Sequence, residues 1–175
     1  NLLFMVQPPW NQTDGYRDFK LANFKLSTVT PTLLTGYKGT SSSFAIDGTP
    51  AVDASISTNQ VRAQYDTSTV PHRWLMLALN TKRIVALNKD GMNNNESLLT
   101  FHDLPQNANS FVYRRDANDD EIIDYCGADK KIHSYNITTA TPTDYEWPIA
   151  NLECSEKTLH YNSSRNSLIF PARMN

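Results

Sequence analysis

Cysteine and histidine are the residue types in this chain that could support nucleophilic or metal chemistry. The chain has two cysteines and four histidines: Cys126, Cys154, His72, His102, His133 and His160. No two histidines have the i,i+4 spacing of a zinc-binding helix, and the sequence has no Gly-x-Ser-x-Gly elbow and no Walker loop. Spacing leaves a Cys–His nucleophile pair open, but a disulfide is the favoured use of the two thiols. We therefore predict that the protein is not an enzyme.

An acidic run from Asp116 to Asp124 offers oxygen atoms of the kind that calcium prefers. Oxygen-bearing side chains occupy its first, third, fifth and ninth positions, as in an EF-hand loop. The sixth position, which requires glycine, is Glu121, and Gly127 stands where the closing acid belongs. A polar hairpin turn is the preferred interpretation. We predict no cofactor, with a structural calcium ion as the alternative that the residues leave open.

Four Asn-x-Ser/Thr sequons accompany the cysteine pair and indicate an oxidising, extracytosolic environment. They begin at Asn11, Asn95, Asn136 and Asn162, which are the predicted glycosylation sites. We predict an extracellular location or a position on a virion surface. The first residue is not Met, so we expect a fragment of a larger protein.

Charge argues against nucleic acid as a partner, and hydropathy argues against insertion into a membrane. The formal net charge of −2 and the scattered basic residues argue against nucleic acid, which requires a concentrated basic face. No segment approaches the roughly 18 consecutive apolar residues of a membrane span, so no membrane insertion is predicted.

Strand-length runs separated by turn residues must position these side chains. The strand candidates are Phe24–Val29, Arg73–Leu79, Arg83–Asn88, Ser97–His102, Ser110–Arg115, Lys131–Asn136, Glu153–Tyr161 and Leu168–Pro171. The apolar run Trp74–Leu77 predicts a central strand buried on both faces, paired in a short hairpin with the segment that begins at Arg83. The pattern predicts an all-β fold, with residues 1–175 forming a single β-sandwich domain of the jelly-roll or galectin-like type.

Aromatic and basic residues in loop-like positions form a candidate ligand site. They are Tyr37, Tyr65, His72 and Arg73. Aromatic rings offer an apolar face on which a sugar ring can stack, and neighbouring polar groups can bind its hydroxyls. This combination predicts carbohydrate binding by loops at one end of a sandwich.

The order of three segments carries a family resemblance: Leu21–Thr28, Phe44–Gly48 and Arg73–Leu87. Together with the Ser110–Tyr125 stretch, they resemble the discoidin family, the galactose-binding-like jelly roll of coagulation-factor C domains and fucose-binding lectins. The resemblance implies a lectin-like role and a bridge between the two cysteines, and it matches Asp47 to an aspartate that helps to bind calcium. Arg114 lies in Arg114-Arg115-Asp116, which is similar to the middle of the fucose signature, so Arg114 joins the candidate ligand residues.

A second resemblance rests on three other patches: His72–Leu75, Lys130–Asn136 and Ser167–Arg173. In their order along the chain, these patches are similar to the galectin-like spike head of rotaviruses, which binds host glycans. Both resemblances lead to one prediction, a non-enzymatic glycan-binding attachment domain whose partner is a cell-surface glycan or glycoprotein receptor. The alternatives are a viral spike receptor-binding head and a protein–protein adhesion module that does not depend on glycan. Association into oligomers is expected through the parent protein.

Overall fold

The structure is a computed structural model, and it describes residues 2–6, 20–25, 30–33, 47–48, 61–69, 72–88, 99–144, 152–155 and 159–174. These residues form strands and turns, and no helix occurs among them. The strands of the described residues are β1 (Leu2–Val6), β2 (Lys20–Lys25), β3 (Thr30–Leu33), β4 (Val61–Asp66), β5 (Arg73–Ala78), β6 (Thr81–Asn88), β7 (Leu99–Arg115), β8 (Glu121–Gly127), β9 (Ile132–Asn136), β10 (Thr141–Asp144), β11 (Leu152–Cys154), β12 (His160–Asn162), β13 (Ser167–Ile169) and β14 (Ala172–Met174).

The strands form one large sheet and three smaller ones. The large sheet is antiparallel and has seven strands in the order β10-β9-β8-β7-β6-β5-β4. A three-stranded sheet has the order β1-β2-β3, and the pairs β11-β14 and β12-β13 form the remaining two-stranded sheets. The predicted all-β fold class is confirmed, and the large antiparallel sheet is consistent with an all-β sandwich.

The chain divides into two compact units. The first comprises Asn1–Ala78 and Val85–Phe101, and the second comprises Leu79–Ile84 and His102–Asn175. The expectation that residues 1–175 form a single domain stays a prediction.

In the first unit, the hairpin of β4 and β5 provides the framework for the candidate site. Its register pairs Tyr65 with Trp74 and Asp66 with Arg73. Directly paired residues share a face of the sheet, and successive residues alternate between faces. All residues from Trp74 to Ala78 are buried, which confirms the prediction of a strand covered on both faces.

In the second unit, β7, β8 and β9 form the centre of an antiparallel meander. Cys126 of β8 pairs with Ile132 of β9, and both belong to a buried apolar cluster on one face. The cluster also contains Val112, Cys154 and Leu159. It packs against Tyr161, Leu168 and Phe170, so the C-terminal strands cover this face of the meander.

Several strand boundaries differ from the sequence-based prediction. Residues 99–102 of the predicted strand Ser97–His102 and the predicted strand Ser110–Arg115 belong to one 17-residue strand, β7, which shifts register between Ala108 and Ser110. Residues 97 and 98 lie outside the described part. A β-bulge of this kind accommodates an extra residue without ending the strand, so the polar stretch between the predicted strands stays in the ladder. The strands β1, β3, β4, β8, β10 and β14 lie outside the predicted segments, and residues 26–29 of the predicted Phe24–Val29 strand lie outside the described part.

Candidate functional site

The loop between β4 and β5 is organised by one buried carboxylate. Asp66 is 4% exposed and accepts hydrogen bonds from the backbone nitrogen of Ser68 (2.9 Å), the hydroxyl of Ser68 (2.6 Å) and Nε of Arg73 (2.8 Å). Burial opposes ionisation of Asp66, but the hydrogen bonds from Ser68 and the charge of Arg73 outweigh burial and lower the pKa of the carboxyl. The ionised Asp66 therefore fixes both the start of the loop and the Arg73 side chain.

Three rings lie together where this loop returns to β5. The centroid of the Tyr65 ring is 4.7 Å from that of Trp74 and 5.8 Å from that of His72, which it meets edge-on. Tyr65 and His72 are half-buried, whereas Trp74 is buried. We call these three residues the aromatic group. It offers partly exposed ring surface backed by a buried indole.

Arg73 has different neighbours from the aromatic group. Strand alternation directs Arg73 and Trp74 to opposite faces of β5, and the guanidinium carbon of Arg73 lies 4.3 Å from the centroid of the Phe101 ring. The structure thus brings the predicted ligand residues Tyr65 and His72 together. It places Arg73 beside them in sequence but in contact with Asp66 and Phe101.

Arg114 belongs to the second unit. Its Nε donates to Oδ2 of Asp124 at 2.6 Å, and its Nη2 donates to Oδ1 of the same carboxylate at 3.4 Å. The Asp124 side chain is fully buried, and the ring of Tyr161 covers the guanidinium at 5.0 Å. The described contacts of Arg114 are therefore structural, and its predicted role in ligand binding stays a prediction. Tyr37 lies outside the described residues.

The two thiols form the predicted disulfide, which is confirmed. Cys126 and Cys154 are bonded with their Cα atoms 6.0 Å apart, and both are buried. Since the chain has only these two cysteines, no thiol is available in this structure as a nucleophile.

A second polar cluster lies around His133. Its Nε2 is 3.0 Å from both carboxylate oxygens of Asp129 and 2.8 Å from the side-chain nitrogen of Gln106, and its ring stacks on Tyr125. Burial works against ionisation of Asp129, but hydrogen bonds from His133 and the Lys131 backbone prevail and lower its pKa.

Residues 116–120 of the acidic run form the turn between β7 and β8, as the hairpin interpretation predicts, and residues 121–124 belong to β8. Oδ1 of Asp116 accepts from the backbone nitrogens of Asn118 and Asp120, and the carboxylate of Asp119 pairs with Arg115 at 3.0 Å.

Asp47 accepts from the backbone nitrogen and the hydroxyl of Thr100. Within the described ranges, no three His, Cys, Asp or Glu side chains converge as a metal site would require. Calcium binding remains an untested alternative.

Two of the four sequons lie in the described part of the chain. Nδ2 of Asn136 donates to Asp120, and Oδ1 of Asn162 accepts from the backbone and hydroxyl of Ser164 in an exposed turn. Asn11 and Asn95 lie outside the described residues. Glycosylation at the four sites stays a prediction.

In comparisons with known proteins, no protein-family model, no curated protein and no solved structure matches the chain. In the ranges that the structure describes, no helix is long and apolar enough to cross a membrane.

Sequence reasoning missed three residues that shape the site. Asp66 and Phe101 hold Arg73, and Trp74, which the apolar run placed in the core, is also the inner ring of the aromatic group. The Asp66–Arg73 pair could have been predicted from the sequence. A carboxylate just before a loop and an arginine just after it face each other when the two flanking strands form a hairpin. The contact with Phe101 has no local signal, since 28 residues separate it from Arg73 along the chain.

Proposed function

We propose that the protein is a non-enzymatic attachment domain that binds cell-surface carbohydrate. The observation that carries the proposal is the aromatic group, in which the partly exposed rings of Tyr65 and His72 lie against the buried indole of Trp74. Rings in this arrangement offer an apolar face to the C–H face of a sugar, and the polar atoms at their edges can bind hydroxyls.

The described part of the hairpin suits such a site because internal contacts hold its side chains in place. Trp74 lies in a strand of buried residues, and Asp66 accepts three hydrogen bonds, two from Ser68 at the start of the loop and one from Arg73. Preorganised side chains lose little conformational entropy on binding. One such site still competes with water for each hydroxyl, so we expect dissociation constants of about millimolar to micromolar and useful attachment through several copies.

The disulfide supports the compartment that this function requires. A bridge between Cys126 and Cys154 persists in oxidising surroundings, which include the extracellular space and the surface of a released virion. We propose this location and a glycan or glycoprotein receptor as the partner. The resemblances to discoidin domains and to the rotavirus spike head support the same role.

A glycan array probed with the full chain in multivalent form tests the proposal. We expect binding of at least one glycan class and its loss in Tyr65→Ala, which removes an outer ring of the aromatic group. The control is Ile169→Ala, which removes a 54% exposed apolar side chain of the second unit and should bind as the wild type does. An array without signal above background at high valency would overturn the proposal.

The alternative function is a protein–protein adhesion module. A cell-binding experiment distinguishes it from carbohydrate recognition. Cells are treated with glycosidases before the multivalent chain is added. Loss of binding supports carbohydrate recognition. Unchanged binding to treated cells, combined with an empty array, supports recognition of a protein surface.

A further inference from the structure

We infer that His72 sets the specificity of the proposed site by presenting its Nε2 atom as a hydrogen-bond acceptor to a hydroxyl group of a neutral sugar. The inference rests on the proposed function and adds the chemical class of the ligand. It follows from the tautomer of the imidazole, from the accessibility of Nε2 and from the charges next to the site.

The tautomer follows from a single hydrogen bond. Nδ1 of His72 lies 2.8 Å from the backbone carbonyl oxygen of Thr69. A carbonyl oxygen can only accept, so Nδ1 must carry the proton and donate it. In the neutral imidazole the other nitrogen then has a lone pair and no proton. The Thr69 carbonyl therefore makes Nε2 an acceptor.

Nε2 is also accessible. The structure gives it no hydrogen-bond partner among the described residues, and it is not one of the buried polar atoms that lack a partner. Nε1 of Trp74, by contrast, is such a buried atom. An unpaired nitrogen that is not buried must be reachable from solvent, so a ligand can replace the water that binds Nε2. The edge-on contact with Tyr65 places the imidazole that carries this acceptor beside an aromatic ring.

The neighbouring charge does not favour an anionic ligand. The carboxylate of Asp66, which is almost fully buried, pairs with Arg73 at 2.8 Å and offsets its positive charge. A lone pair on Nε2 attracts the O–H of a hydroxyl and repels a carboxylate or sulfate oxygen. The described groups therefore fit a neutral, hydroxyl-bearing sugar better than its sialylated or sulfated derivative.

The tautomer is tested without any ligand. Long-range proton–nitrogen NMR of the full chain, recorded at pH 8, distinguishes protonated from unprotonated ring nitrogens. We expect Nδ1 of His72 to carry the proton and Nε2 to show the shift of an unprotonated nitrogen. A proton on Nε2 would overturn the inference, whatever glycans the protein binds.

The ligand class is tested with matched pairs on the array, such as lactose and sialyllactose, together with two variants. His72→Asn keeps an amide nitrogen near the position of Nδ1 and removes the acceptor, whereas His72→Gln carries an amide oxygen close to the position of Nε2. We expect a preference for the neutral member of each pair and a loss of about five- to tenfold in His72→Asn, the size expected for one hydrogen bond. His72→Gln should retain more binding than His72→Asn. His160→Asn, at an exposed histidine of the second unit, is the matched control and should bind as the wild type does.

The outcomes separate this inference from the proposed function. Binding that prefers sialylated glycans, or that is equal in wild type and His72→Asn, overturns the role of His72 and leaves carbohydrate recognition standing. An array with no signal for any glycan overturns both. Neutral preference with the expected order of the two variants supports both.

Discussion

At the scale of single residues, two buried carboxylates each hold an arginine in place. Asp66 and Asp124 are 4% and 0% exposed, and they hold Arg73 and Arg114 respectively. A buried carboxylate is costly to leave without a partner, because little water is available to replace the lost contact. Both arginines therefore have a structural task. Their predicted roles in ligand binding stay predictions.

His102 makes the stability of the second unit sensitive to acid. Its ring lies 4.8 Å from that of Tyr135, and its Nε2 is buried without a hydrogen-bond partner. Burial lowers the pKa of His102 below the ordinary value of 6.5, although the charge of Asp103 opposes this effect. As the pH falls through 6.5, the unfolded chain takes up a proton that the folded protein resists. The contribution of His102 to stability is therefore present above pH 6.5 and is lost below it.

We predict that His102→Phe flattens this dependence, because phenylalanine keeps a ring against Tyr135 and removes the titration. The measurement is the urea midpoint of wild type and variant at pH 7.5, 6.5 and 5.5. The wild type should lose more stability than the variant over this range. The pair of His133 and Asp129 is present in both proteins, so its effect cancels in the comparison. Equal slopes would contradict the assignment.

At the scale of elements, two-residue turns and bulges decide how the strands connect. Leu79 and Asn80 form the turn between β5 and β6, and Asn80 has a φ of 58°. The left-handed conformation is accessible to asparagine and glycine, but it crowds the side chain of a β-branched residue. The turn also donates from the Asn80 backbone nitrogen to the Ala108 carbonyl at 2.9 Å, so it is tied to β7.

We predict that Asn80→Val lowers the free energy of unfolding by about 1–2 kcal/mol, and that Asn80→Gly changes it by less than about 1 kcal/mol. Chemical denaturation of the two variants measures the difference. The control is Asn118→Val, at an exposed turn position that does not have a positive φ. A loss in Asn118→Val as large as that in Asn80→Val would show that side-chain polarity, and not backbone conformation, is responsible.

At the scale of the whole molecule, the disulfide is the one covalent link between distant parts of the sequence. It joins β8 to β11 across a separation of 28 residues and lies inside the apolar cluster of Val112, Ile132 and Leu159. A cross-link of this span restricts the unfolded chain more than the folded one. The bond therefore stabilises the C-terminal strands on the meander in addition to the packing of the cluster.

We predict that the double variant Cys126→Ala/Cys154→Ala lowers the free energy of unfolding by about 3 kcal/mol. Urea denaturation with and without a reducing agent provides the measurement and its control. Reduction should destabilise the wild type by a similar amount and leave the double variant unchanged. A wild type whose unfolding is insensitive to full reduction of the bond would contradict the prediction.

The amino-acid sequence by itself determined the all-β class, the buried strand that begins at Trp74, the hairpin that follows it and the cysteine pairing. These features are local or nearly so: apolar runs of strand length, turn residues between them, and a chain with only two thiols. It also placed Tyr65, His72 and Arg73 among the candidate ligand residues, because aromatic and basic side chains stood next to a predicted strand.

Tertiary structure alone decided how those residues are used. Register paired Tyr65 with Trp74 and Asp66 with Arg73, so the predicted set separated into an aromatic group and an ion pair. The bulge in β7 kept a polar stretch within the strand, and folding brought Phe101 onto Arg73. Register and long-range contact depend on which strands pair and on which face each residue occupies. A residue type does not encode that choice, since a shift of one position would move every side chain to the opposite face.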